Sequence, residues 1–152
     1  MNKSPLNYLL TTALGVILWV ITAIFFGGVF SESLTLASST PEDFLASYRL
    51  FLGLAAFAGI LNCLYWYYYG SLDTTAGRLD KAKRVWLSSI ILQIICAVAL
   101  LFILVIINLS EGMATKDWAI IFCMLSLHTW FFFWFCTFFM SPRTVKYIPF
   151  FK

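Results

Sequence analysis

Residues 85–110 read VWLSSIILQIICAVALLFILVIINLS, 26 consecutive positions without Asp, Glu, Lys or Arg. A helix advances about 1.5 Å per residue, and about 20 apolar residues cross a hydrocarbon core about 30 Å thick. The run is therefore long enough to span a bilayer. Its apolar residues do not alternate with polar ones, as a barrel strand between lipid and lumen requires. Lipid gives the backbone no hydrogen-bond partners, so such a segment has to be a helix that satisfies its own amides. Working outward, three more windows carry no charge: 4–31, 50–72 and 118–142, of 28, 23 and 25 residues. The four windows hold 102 of the 152 residues. The sequence predicts an all-α polytopic membrane protein, a four-transmembrane-helix bundle. Residues 1–152 form a single transmembrane domain, with spans at about 6–30, 48–69, 85–108 and 117–140 and a basic loop over 70–84.

Composition agrees with this reading. Hydrophobic residues make up 62% of the chain, aromatics 19% and charged residues only 11%, against roughly 25% charged in a soluble domain. That excludes a disordered chain, a collagen-like repeat and a nucleic-acid-binding domain. Helix boundaries are marked by Ser4-Pro5, by Thr40-Pro41 followed by Glu42 and Asp43, by Thr115-Lys116-Asp117, and by Ser141-Pro142. Between Asp73 and Asn108 no breaker occurs, which predicts one long helix from about Thr74 to Leu109 whose first turns project beyond the core. The first window exceeds the 7–15 residues or so of a secretory h-region, so it reads as a retained helix.

Basic residues set the expected orientation. Lys3, Arg78, Lys81, Lys83, Arg84, Arg143, Lys146 and Lys152 lie on one side with two acids, Asp73 and Asp80. The other side has Arg49 and Lys116 with five acids: Glu32, Glu42, Asp43, Glu111 and Asp117. Both termini are expected to be cytoplasmic, in a bacterial inner membrane. Arg78, Lys81, Lys83 and Arg84 form a candidate docking or anionic-lipid contact, where each cation near the surface contributes about 1 kcal/mol.

Polar residues inside the spans are few. Asn62, Gln93 and His128 fall at similar depth near the middle of helices two, three and four. Such groups face other helices or a cavity, so the three are the candidate mid-membrane polar site. They could bind a proton or ligand, or simply hydrogen-bond between helices; His128 could also ligate a haem shared with a second copy. Ala23 with Gly27 and Ala55 with Gly59 are small-xxx-small pairs that mark helix packing, within the chain or between subunits. Tyr65-Trp66-Tyr67-Tyr68-Tyr69 and Trp86 are placed as an interfacial aromatic belt. Cys63, Cys96, Cys123 and Cys136 all lie in spans with no CxxC spacing, which supports no disulfide framework.

The sequence has no HExxH, GxSxG, phosphate-binding glycine loop or intramembrane carboxylate cluster. No catalytic residue, metal site or cofactor is expected, and the chain reads as a non-enzyme. The leading expectation is an integral membrane subunit that assembles with or anchors a larger membrane complex. Its partners are the lipid bilayer and further copies or other membrane subunits, not nucleic acid. The alternatives are a homo-oligomeric channel or passive transporter, or a binder of a lipid-soluble cofactor.

Overall fold

Four apolar helices run antiparallel in sequence order, each charge-poor stretch having closed its own backbone hydrogen bonds. The computed structural model describes residues 4–29, 41–70, 76–107 and 115–141. Among the described residues the chain is all-helical, and four helices are long and apolar enough to cross a membrane. They are α1 (Pro5–Val29), α2 (Pro41–Tyr65, continued by a π-helical turn, Trp66–Gly70), α3 (Ala76–Ile107) and α4 (Thr115–Met140). Helix α2 begins seven residues before the span expected at 48–69, because Pro41 suits a first helical turn and Glu42 and Asp43 face its positive end. The long third helix is present over 32 residues. Pro5 opens α1 as expected, although Ser4 makes no side-chain cap bond. The expected caps at Thr40 and Pro142, and the tail after it, lie outside the described residues.

Helices α2 and α4 form the centre. Helix α1 packs chiefly on α2, while α3 packs on both α2 and α4. Burial follows this order: 44% of the most apolar stretch of α2 is buried and 39% of that of α4, against 22% for α1 and 17% for α3. Helix α3 is thus mostly surface, with Leu87, Ile91, Ile95, Val98 and Phe102 all exposed.

Two apolar clusters fill the bundle. One, around Phe44, Tyr48, Leu52, Leu104, Ile121 and Leu125, lies toward the end holding Val29 and Thr115. The other, around Cys63, Trp66, Trp86, Phe133 and Cys136, lies toward the end holding Pro5 and Met140. Between them sits a layer of buried polar side chains: Thr22, Asn62, Ser89, Gln93, His128 and Thr129.

The small residues act within this chain. Ala23 and Ala55 are buried in the first cluster. Gly27 is buried near Leu45 and Tyr48. Gly59 lets α2 approach the backbone of α4, since a Cβ there would overlap the His128 carbonyl oxygen. A rigid backbone carbonyl cannot yield as a side chain can. Gly59→Ala is therefore expected to destabilise the bundle by about 1–3 kcal/mol through overpacking. Gly28→Ala, whose Cβ would meet nothing within 4 Å, serves as the neutral control. Reversible unfolding of both variants in detergent micelles measures the difference.

Candidate functional site

The polar layer is built where two helices leave regular geometry. In α1 the segment Ile21–Phe26 is π-helical, and the Gly27 amide donates five residues back to the Thr22 carbonyl. In α4 the segment Leu127–Phe131 is π-helical, and the Phe132 amide donates five residues back to the Leu127 carbonyl. Each such turn releases carbonyls from the i→i−4 ladder. Nearby donors reach the carbonyls around these turns. Thr129 Oγ1 donates to the Leu125 carbonyl at 3.0 Å, and Arg49 Nε reaches the Ala23 carbonyl at 3.4 Å.

His128 is 1% exposed and bridges the two irregular segments. Its Nδ1 lies 2.7 Å from the Met124 carbonyl oxygen. A carbonyl only accepts, so Nδ1 carries the proton and Nε2 of the neutral ring is left as an acceptor. Thr22 Oγ1 stands 2.7 Å from that Nε2. The same hydroxyl is 2.8 Å from the Leu18 carbonyl and has one proton to give. Thr22 can therefore close the bond to His128 or the bond to its own helix, one at a time. Both nitrogens of the ring stand within 2.7 Å of a protein oxygen, so an iron could approach neither without displacing a neighbour.

Asn62 and Gln93 are not part of this pair. They face the interface of α2 and α3, where Asn62 Nδ2 donates to the Ser89 carbonyl and Gln93 Nε2 to the Ala58 carbonyl, both at 3.5 Å. The expected three-residue site thus divides into a closed His128–Thr22 contact inside the bundle and an Asn62–Gln93 pair beside a groove. The groove has a volume of about 720 Å³ and is lined by Leu61, Tyr65, Ser88, Leu92 and Cys96 as well as the two amides. Gln93 Oε1 is buried there without a hydrogen-bond partner.

Three further arrangements escape sequence reasoning. Trp66, Tyr67 and Trp86 belong to the core and not to a surface belt, at 0%, 4% and 3% exposure. Their polar tips find partners on α4 and the residue after it. The Trp66 indole donates to Ser141 Oγ at 2.8 Å, Trp86 to Thr137 Oγ1 at 2.9 Å, and the Tyr67 hydroxyl to the Cys136 carbonyl at 2.8 Å. Tyr65, Tyr68 and Tyr69 remain exposed, as a belt requires. Cys63 and Cys136, far apart in sequence, are fully buried in the same apolar cluster with free thiols. Asp117, placed by sequence at the start of the fourth helix and counted among the acids of one side, is 1% exposed in the first turn of α4, and its Oδ2 has no partner. Its place at the positive end of the helix is the one stabilising feature the sequence offered.

Of the basic candidates, Lys81 and Arg84 are exposed and Lys83 half-buried, whereas the Arg78 side chain lies outside the described residues. Among the described residues no group of three or more His, Cys, Asp or Glu side chains is placed to hold a metal ion.

A double-mutant cycle tests the His128 contact. Thr22→Val and His128→Phe should each destabilise the bundle, by about 1–3 kcal/mol where a buried partner is left unsatisfied. The two should couple by about 0.6–1.7 kcal/mol, the range of side-chain hydrogen bonds between membrane helices. Additive losses in unfolding free energy would show that the contact is not formed.

No protein-family model matches this chain, and no curated protein or solved structure matches it either.

Proposed function

We propose that the chain is a non-catalytic integral membrane subunit that assembles with or anchors a larger membrane complex. The observation that supports this reading is the division of labour between helices. Helices α2 and α4 are spent on internal packing, while α3 keeps one long apolar face outward along its membrane stretch. At one end of that face, exposed Lys81 and Arg84 add charge on turns that project beyond the apolar run. A helix of this kind suits lateral contact with another apolar helix, plus electrostatic contact with anionic headgroups or an acidic partner. In this reading the membrane is a bacterial inner membrane, with both termini and the basic turns of α3 on the cytoplasmic side.

Extraction in a mild detergent is expected to recover the chain with partner subunits, or further copies, at fixed stoichiometry. Ile91→Trp and Ile95→Trp, both at exposed positions of α3, should reduce that recovery without changing the thermal unfolding of the isolated chain. Recovery of a partner-free monomer would remove the reading. Fluorescent reporters that mature only in the cytoplasm, fused to either terminus, should both be bright.

A homo-oligomeric channel or passive transporter is the second reading, supported by the hydroxyl and amide groups along the α2–α3 groove. Solute flux in liposomes that responds to Gln93→Leu would favour it, and absence of flux would remove it.

A further inference from the structure

Open space and under-satisfied polar groups coincide in the groove between α2 and α3. Its volume, about 720 Å³, falls within the roughly 300–1,000 Å³ of small-molecule sites. Asn62 and Gln93 reach backbone carbonyls only at 3.5 Å, beyond the usual N–H···O range. Gln93 Oε1 has no donor at all, and Gln93 itself is 3% exposed. Acyl chains that fill the groove cannot supply a donor. Ser88 donates its proton to the Val85 carbonyl at 2.9 Å, so its oxygen keeps lone pairs for an incoming group. Leu61, Leu92 and the Tyr65 ring give the same groove apolar walls.

We propose that this groove binds a neutral lipid that carries a hydroxyl head, such as a long-chain or isoprenoid alcohol or a hydroquinone, with the hydroxyl donating to Gln93. The missing element is a donor, which an O–H supplies and an ether or a quinone carbonyl does not. Among the described residues no cationic side chain lines the groove, so a phosphate head finds no counter-charge from them there. Asn62 lies eight residues before Gly70, well inside the apolar helix Glu42–Gly70. Gln93 lines the groove at 3% exposure with its Oε1 covered, so in this proposal the amide turns toward the groove to accept from a slender hydroxyl, which the broad face of another helix does not offer. This inference does not rest on the assembly reading and extends beyond it.

The test uses the purified full chain in lipid nanodiscs with two photoactivatable probes, a diazirine-bearing long-chain alcohol and its methyl ether. The two match in shape and differ in the donor. Labelling of peptides spanning 58–65 and 88–96 is expected to favour the alcohol by roughly fivefold, the ratio one net hydrogen bond supports. Gln93→Leu should abolish that preference while the ether labelling stays unchanged. Leu92→Trp, an exposed wall position, should block both probes without touching the polar pair. Equal labelling by alcohol and ether overturns the proposal, as does labelling spread evenly over exposed α1 and α3. Cross-links between two copies through the groove overturn it too, by placing a second chain there. Because only the isolated chain is used, failure here is distinct from failure to recover a partner complex.

Discussion

A polar side chain buried in an apolar bundle has no water to turn to and must find its partner within the protein, and the placing of the polar side chains follows from that. Helices α1 and α4 both loosen into π-helical turns near the middle of the bundle. Thr22, His128 and Thr129 sit in those turns; His128 and Thr129 donate to carbonyls of their own helix at 2.7 and 3.0 Å, and Thr22 has one proton for either His128 or the Leu18 carbonyl. The Thr22–His128 contact then joins the two irregular segments to each other. The packing around them depends on this arrangement: Gly59 of α2 lies against the His128 carbonyl, so the central helix pair approaches at the same level. The polar layer separates two apolar clusters, and every helix contributes to at least one of them.

The α2–α3 side is constructed differently. There the amides of Asn62 and Gln93 reach backbone carbonyls at the limit of hydrogen bonding, and the neighbouring space stays open. One side of the polar layer is closed by a short bond and the other is left wanting a donor. This asymmetry distinguishes the two halves chemically, although both derive from polar residues at similar depth.

Much of this architecture is legible in the sequence, because absence of charge over about 20 residues is a demand imposed by the bilayer itself. Four spans, the long third helix and the buried state of Asn62, Gln93 and His128 all follow from it. Which of those three meet does not follow. Depth is set by counting residues, whereas rotation about each helix depends on partners and is shifted by the π-helical turns. Trp66 and Trp86 mislead for a related reason: an indole at the end of a span suits an interface, but Ser141 and Thr137 offer it a partner inside. Asp117 is legible as a residue of the first turn of α4, but its burial is not, because burial depends on how that turn packs against its neighbours.

The bonds that gather on the last helix have a bearing on biogenesis. Asn7, Trp66, Tyr67 and Trp86, from the first three helices, all donate to atoms between Cys136 and Ser141. While the chain is being made, those donors emerge before any of their acceptors exist. Until the fourth helix is made, the indole, phenol and amide groups of the first three lack the acceptors they meet in the finished bundle. The last helix thus acts as a clasp, and a chain ending before residue 136 would leave all four donors without the partners they have in the complete bundle.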